Sequence, residues 1–336
     1  MAYAGRAVHR RLLSAVTCVV SVLMLAACSS GSSSSAGSGH ATPTGSGSLT
    51  SLTVAYAAPG AGFSDLYVGI ADGIFKKYGL NVKIVQVTPA NLVPALLSGS
   101  VQIGGGVADG AASAILSGEG LEYIALTEGT YNLQLWVNEG ITSVHDLVGK
   151  TVALTTQGSE NDFALTALLQ SDGIDPSSVN RRYLVTVPEE LSAMRSGAAV
   201  AALFQPPNAQ PLTKTGGRIL ASLTSLPFAV GAYLATSSYV AANASAIAKF
   251  YAAEQANLAF LRSSPQQTLA AIKQYNPAST TSGDKIAYDF FLNVWKKDPT
   301  VEVPLIQAAF DRAAAKVHKT APSRVTQYIY SPPGAG

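Results

Sequence analysis

The polar residues of this sequence that could contact a small molecule lie in short loops, each at the point where a β-rich segment gives way to a helical one. Gly, Ser, Thr, Asn and Gln dominate these loops. Such residues let the backbone and short polar side chains approach a ligand, and the first turns of the helices that follow offer free N–H groups. The candidate ligand-binding residues are Phe63, Ser64, Asn91, Gly106, Asp109, Thr130, Tyr131, Thr156, Gln157, Ser159, Asn161, Phe204 and Gln205.

Several of these candidates also have a purely structural interpretation. Thr156, Ser159 and Asn161 could cap the helix that follows them, as readily as contact a ligand. Tyr131 and Phe204 come where strands end, so each could stack on a ligand or belong to the core. Both interpretations stay open at the level of sequence.

Catalytic groups are scarce in the body of the chain. After residue 50 there is no cysteine, and the two histidines, His145 and His318, lie in segments typical of a surface. No G-x-S-x-G elbow, H-E-x-x-H helix or phosphate loop occurs, and Gly104, Gly106 and Gly110 have one residue too many in the last gap for a dinucleotide fingerprint. Disulfides, thiolate nucleophiles and cysteine metal sites are therefore excluded from the body, and we expect neither a metal nor a cofactor.

These loops would be positioned by an alternating pattern of strands and helices. Two βα series followed by helices predict an α/β protein with two lobes, each built on a mostly parallel sheet, whose ligands bind at the carboxyl ends of strands. Strands are predicted at 52–56, 82–87, 101–103, 123–126, 151–154, 183–185 and 200–204. Helices are predicted at 63–75, from a cap at Asn91 to 97, and at 109–116, 161–170, 188–195, 247–261, 265–274, 286–295 and 304–317.

The N-terminus has the pattern of a processing signal. Three arginines precede a mostly apolar run at 12–25, which is too short to span a bilayer comfortably. It closes on Leu-Ala-Ala-Cys at 25–28, which resembles the bacterial lipobox and implies a signal peptide at 1–27 and lipid on Cys28. An ordinary secretory signal is the alternative. Residues 28–50 are almost wholly Ser, Gly, Ala, Thr and Pro, a flexible tether with a reach of about 25 Å.

The length and net charge of the body limit the number of lobes and the kinds of partner. The body, about residues 51–336, is long enough for two lobes. Three of the 22 basic residues lie in the signal, which leaves 19 against 20 acidic residues. This balance does not suggest a nucleic-acid partner.

Five segments follow one another along the chain: GIFKKYGL at 73–80, ALLSGSVQIG at 95–104, ITSVHDLVGKTVA at 141–153, Gly-Ser at 158–159 and the passage at 197–206. In this order, and over roughly residues 52–275, they resemble the sulfonate/nitrate/taurine-type branch of ABC-importer binding proteins. Each motif alone is weak, but five in register are specific. This family usually has Asp at the positions of Gln102 and Val200, and we assign no role to either residue.

The resemblance implies a periplasmic-binding-protein-like fold, in which a hinge of two crossings joins the lobes and a ligand cleft lies between them. We place the hinge near 135–138 and 223–234. The expected divisions are 51–137 for the first part of lobe 1, 138–224 for lobe 2, 225–320 for the return to lobe 1 with the C-terminal helices, and 321–336 for a tail.

The resemblance also implies a function. We expect an extracytoplasmic, monomeric protein, lipid-anchored to the outer face of a bacterial cell membrane. It would capture a small molecule by lobe closure and deliver it to an ABC permease and its ATPase. Two alternatives are a lipoprotein sensor and a thiamine-pyrimidine synthase-like enzyme, although the cysteine-rich stretch of those synthases is missing here.

The identity of the ligand stays open. The candidate loops contain no Arg or Lys, while Asp65, Asp109, Glu128 and Glu160 lie in or beside them. A sulfonate or nitrate would be held by N–H groups and hydroxyls alone. A neutral or amine-bearing molecule, such as an aminopyrimidine, is equally compatible.

Overall fold

The computed structural model describes residues 48–57 and 60–332. The expected signal peptide, the lipid site Cys28 and nearly all of the tether lie outside the described residues. Among the helices in the described ranges, none is both long and apolar enough to span a bilayer.

Two five-stranded sheets form the framework, with strand orders β2-β1-β3-β10-β4 and β7-β6-β8-β5-β9. In each sheet a single strand runs against the other four: β10 in the first and β5 in the second. The α/β class and the two lobes are as predicted. The strands are β1 Thr50–Tyr56, β2 Leu80–Gln86, β3 Ile103–Gly106, β4 Leu121–Leu126, β5 Gln134–Val137, β6 Thr151–Leu154, β7 Asn180–Tyr183, β8 Ala201–Phe204, β9 Arg218–Ser222 and β10 Ala232–Thr236.

Helices cover both faces of each sheet. Helices α5 and α6 pack on the second sheet, and the others described below pack on the first sheet or on one another. Successive residues of the central strands face opposite sides, so that each sheet divides its lobe's core into two apolar clusters. The helices are α1 Ser64–Ala71, α2 Ile74–Lys77, α3 Pro89–Leu97, α4 Ala108–Leu116, α5 Glu160–Ser171, α6 Val187–Arg195, α7 Ser237–Ala242, α8 Ala244–Ser263, α9 Pro265–Tyr275, α10 Thr281–Phe291 and α11 Val303–Lys316.

Two helix predictions in the first lobe were wrong in detail. The helix predicted at 63–75 is divided into α1 and α2, because Gly73 has a left-handed backbone with a φ of 68°. The helix α3 begins at Pro89, whose ring fits the first helical position, and Thr88 precedes it. Asn91 is therefore inside the first turn and is not the cap.

The glycines at 104–106 form most of strand β3. Their lack of side chains serves close packing. A Cβ on Gly104 would lie 2.9 Å from Leu92 Cδ1, and one on Gly105 would lie 2.8 Å from Tyr233 Cε1. We predicted that this strand ends at residue 103, because glycine has a low strand propensity, whereas β3 continues to Gly106.

The chain crosses between the lobes at residues 127–133 and 223–231. These two crossings lie side by side: Thr127 N–H donates to Gly231 O at 2.8 Å, and Tyr131 N–H donates to Leu226 O at 3.1 Å. The first crossing comes before the expected position at 135–138, since β5 already pairs with β8 and β9 in the second sheet. The lobe boundary expected after residue 137 is therefore too late by a whole strand.

The expected tail at 321–336 is attached to the first lobe in part. Val325 is buried, Ile329 forms a parallel β-bridge with Tyr123, and Tyr330 N–H donates to Tyr123 O at 2.9 Å. Residues 325–330 therefore cover the edge of β4, which the sequence pattern did not predict.

The close packing at β3 predicts that Gly105→Ala lowers the free energy of unfolding by about 1–3 kcal/mol, because the added methyl group must displace the ring of Tyr233. Gly110→Ala is the matched control, since its Cβ would meet no atom within 4 Å. It should stabilise α4 by roughly 0.5–1 kcal/mol. Urea denaturation of both variants measures the difference. Equal stability of the two would contradict this account of β3.

Candidate functional site

A cavity of about 840 Å³ opens between the lobes, beside the crossings. The first lobe contributes Arg312 and Lys316 of α11, and the second contributes residues of α5, including Phe163. Tyr131 of the first crossing also lines the cavity. At its rim, a Cβ on Gly158 would lie 3.3 Å from Lys316 Nζ, so the two lobes approach closely here.

Arg312 connects both lobes and the second crossing. Its guanidinium donates two hydrogen bonds to Asp109, at 2.7 and 2.9 Å. The same group lies 4.4 Å from the ring centre of Phe228 and 5.4 Å from that of Phe163. Tyr131 stacks on the other side of this cluster, 4.2 Å from Phe228. A bidentate ion pair and cation–π contacts therefore fix this wall of the cavity.

A chain of hydrogen bonds between the lobes leads to a buried carboxylate, Glu128. Gln205 of the second lobe donates from Nε2 to Asn132 Oδ1 at 2.7 Å, and Asn132 donates from Nδ2 to Glu128 Oε2 at 2.7 Å. Glu128 is 2% exposed. Burial raises its pKa well above the ordinary value, the bond from Asn132 lowers it, and the nearby Glu160 raises it further.

Glu160 approaches the same region from the start of α5. The residue is half-buried, but its Oε1 atom is inaccessible and has no hydrogen-bond partner among the described residues. Burial raises the pKa of Glu160 to about 7, the backbone of Asn132 lowers it, and the negative charge of Asp109 raises it. Thr130 Oγ1 is likewise buried without a partner in the described part of the chain.

Asp65 is a third acidic group behind this region, at the start of α1. It is fully buried and accepts a hydrogen bond from Tyr233 Oη at 2.6 Å. Burial is the largest cause that raises the pKa of Asp65, to about 6. Its interaction with Glu128 keeps the pKa of that residue high as well.

Three of the predicted site residues lie at the cavity or in the hydrogen-bond chain. Tyr131 and Gln157 line the cavity, and Gln205 begins the chain that ends at Glu128. Thr130 precedes Tyr131 on the first crossing, and its hydroxyl is buried without a partner among the described residues. The first crossing also carries Asn132, which was not among the predicted site residues.

The hydroxyl and amide candidates before α5 have mostly structural partners. Asn161 donates to Leu203 O at 2.8 Å, and the Ser159 hydroxyl accepts from Thr155 Oγ1 at 3.1 Å. Ser159 stands in the cap position of α5 but makes no capping bond with its side chain. Thr156 is exposed.

Phe204 does not stack on a ligand: it is 1% exposed, and it packs in the core of the second lobe. Asp109 is occupied by Arg312. Gly106 is buried, and a Cβ there would lie 2.9 Å from Leu92 Cδ2, so this glycine serves packing.

The remaining first-lobe candidates do not line the cavity. The Ser64 hydroxyl is buried and donates to Ala61 O at 2.7 Å. Phe63 packs 5.5 Å from Tyr56, between ring centres. Asn91 is exposed on α3.

The basic side chains of the cavity were not predicted. Arg181 comes from β7, and Arg312 and Lys316 come from α11, near the end of the chain. The strand-end loops indeed contain no Arg or Lys, so a search confined to those loops could not find them. The described residues hold no cluster of three or more His, Cys, Asp or Glu side chains arranged to bind a metal ion.

One known protein family matches this sequence. The model of the family described as NMT1/THI5 like matches residues 61–268. No curated protein matches the sequence closely enough to count as a relative.

Solved structures share the fold. The periplasmic aliphatic sulphonate binding protein SsuA from Escherichia coli is 22% identical, with a TM-score of 0.68, over 84% of this chain and 98% of that one. The alkanesulfonate-binding protein SsuA from Xanthomonas axonopodis pv. citri, bound to MOPS, is 18% identical, with a TM-score of 0.65, over 84% and 99%. A Candida albicans protein with the generic periplasmic binding protein fold is 16% identical, with a TM-score of 0.61, over 84% and 96%. The expected periplasmic-binding-protein fold is therefore confirmed.

The buried Glu160 predicts how stability depends on pH. A carboxyl group whose pKa is higher in the folded than in the unfolded protein binds an extra proton on folding. Stability should then fall as the pH rises from about 4.5, the ordinary value, to about 7, the value in the fold. Glu160→Gln should make this fall shallower in urea denaturation at pH 5 and pH 7.5. The exposed Glu119→Gln is the control and should keep the wild-type slope, whereas a wild-type slope in Glu160→Gln would refute the assignment.

Proposed function

The chain belongs to the NMT1/THI5-like family, and from this membership and its two-lobed fold we propose that it is the solute-binding component of an ABC importer. It captures a small molecule in the cleft and presents the closed form to a permease whose ATPase drives uptake. We propose that it acts as a binder and not as an enzyme. The sulfonate-binding proteins that share its fold support this role.

The observation that carries the proposal is the set of polar groups that both lobes direct into the region between them. Gln205 and Glu160 come from the second lobe, whereas Glu128 and Asn132 come from the first crossing. Buried polar atoms without partners are costly in a protein that has no ligand to satisfy them. A molecule bound here would contact both lobes at once. We therefore propose Tyr131, Gln157 and Gln205 as ligand-binding residues from the predicted set, together with Glu128, Asn132 and Glu160.

Closure follows from contacts that exist only when the lobes are together. A ligand that touches both lobes binds the closed form more tightly and shifts the population toward it. The two crossings are the hinge, since they alone carry the backbone from one sheet to the other within the described residues. Arg312 favours the same closed arrangement by packing against Phe163 of the second lobe.

The proposed location is extracytoplasmic. A signal peptide at residues 1–27, lipid on Cys28 and the Ser/Gly-rich tether would hold a monomeric body near the outer face of the membrane, within reach of the permease. The sulphonate binding protein from Escherichia coli that shares this fold is periplasmic, which supports this location.

Binding and closure can be tested together. We expect at least one member of a panel of sulfonates, nitrate, pyrimidines and amines to raise the melting temperature of the mature protein. Small-angle scattering at saturation should then show a smaller radius of gyration, because the lobes close on the ligand. The Arg312→Met variant should have a larger radius than the wild type without ligand, and exposed Arg182→Met is its control. A panel without any binder would refute the proposed function, and an unchanged radius on binding would refute closure alone.

The anchor has its own test. Cys28→Ala should release the protein from membranes of its bacterial host or leave it unprocessed, since the lipid is attached through this sulfur. Membrane fractionation and mass spectrometry of the N-terminus measure both outcomes. Mature Cys28→Ala protein that still fractionates with membranes would contradict the anchor.

A further inference from the structure

We infer that the cleft selects a ligand that carries a cationic group, such as an ammonium or amidinium, and holds that group between Glu128 and Glu160. The inference rests on the proposed function and names the ligand class of the same site. Three observations support it: the charge balance, the direction of the hydrogen bonds and the unpaired atoms.

The charge balance leaves two carboxylates without a cation. Arg312 is bound to Asp109, and Arg181 is bound to Asp162 at 2.6 Å. Among the described residues, no basic side chain lies within 4.0 Å of Glu128 or Glu160. Buried carboxylates are stabilised by a cationic partner, and here the protein does not supply one.

The hydrogen-bond chain presents acceptors to the cleft. Gln205 donates to Asn132, which donates to Glu128 Oε2, so the chain runs from amide to carboxylate and ends in an acceptor. The other oxygen, Glu128 Oε1, has no hydrogen-bond donor in the described part of the chain. The chain fixes the orientation of Glu128 while leaving this oxygen available to a donor on a ligand.

Unpaired atoms around Glu128 point to a missing partner independently of the charges. Glu160 Oε1 and Thr130 Oγ1 are inaccessible acceptors without partners among the described residues. An ammonium or amidinium has several N–H donors and would satisfy the acceptors together.

An anionic group would meet the opposite environment. A sulfonate or carboxylate placed between Glu128 and Glu160 would be repelled by them when they are ionised. Burial raises the pKa of both residues, so that their protonated, uncharged forms are favoured when no ligand is bound. The cationic ligand replaces this proton.

Two sets of shape-matched probes test the charge preference directly. Guanidinium, urea and nitrate are planar and nearly equal in size, and benzamidinium, benzamide and benzoate form a larger set. Melting temperatures at pH 7.5, with probes at up to 20 mM, and calorimetry for the binders give the affinities. We expect the cation of at least one set to bind the wild type at least about 30-fold more tightly than its neutral and anionic analogues, the effect expected for a paired buried charge.

Single substitutions test whether the cation binds at Glu128 and Glu160. Glu128→Gln and Glu160→Gln should each weaken cation binding by about 30-fold or more, because glutamine keeps the shape but loses the charge. Glu190→Gln is the matched control: this glutamate is also buried with both oxygens unpaired, but it lies on α6. It should bind the cation as the wild type does.

Several outcomes would overturn the inference. They are tighter binding of nitrate or benzoate than of the matched cation, unchanged cation affinity in both glutamine variants, and no cation preference in either set. The first two would leave the proposed function intact, because binding would still occur. Failure of the whole panel of solutes described above would instead refute the proposed function.

Discussion

The chain must cross between its two sheets twice, and the rest of the structure depends on how those crossings pair. On each crossing the chain enters the new sheet as its single antiparallel strand: β5 in the second and β10 in the first. The crossings then lie side by side and exchange backbone hydrogen bonds. Gly231 is required at this contact, since a Cβ there would lie 2.4 Å from Thr127 Oγ1. This pairing places Glu128, Thr130 and Asn132 between the lobes, so the same few residues belong to the proposed hinge and to the proposed ligand site.

The acidic residues near the cleft differ in whether they have a basic partner. Asp109 and Asp162 have arginine partners, and these pairs hold the walls of the cavity. Glu128 and Glu160 have no such partner, and their burial opposes ionisation. An isolated buried charge lowers the free energy of unfolding. Replacing buried charged groups by uncharged ones therefore often leaves this free energy unchanged or raises it. Groups that lower stability in this way are expected at functional sites, where a ligand supplies the interaction that the protein lacks.

The structure also explains why the strand-end loops were an incomplete guide to the site. Loops after parallel strands do lead toward the cleft, as Glu160 and Gln205 illustrate. Their glycines, hydroxyls and amides, however, are largely used for packing and local hydrogen bonds, as with Gly106, Ser64 and Asn161. The same residue types suit close backbone packing and ligand contact, so composition alone does not separate the two uses.

The sequence by itself determined the α/β class, the two lobes and most of the helices, because apolar periodicity and local start and stop signals act over a few residues. Helices α4, α5 and α6 begin within one residue of the predicted positions for this reason. Only the tertiary structure decided that β5 belongs to the second sheet and that residues 325–330 cover β4, since strand pairing depends on partners far along the chain. It also brought Arg312 of α11 onto Asp109, across 203 residues of sequence. The same long-range packing buried both Phe204 and Tyr131, and it placed Tyr131, but not Phe204, beside the cavity. Burial depends on the whole fold, and no local pattern encodes it.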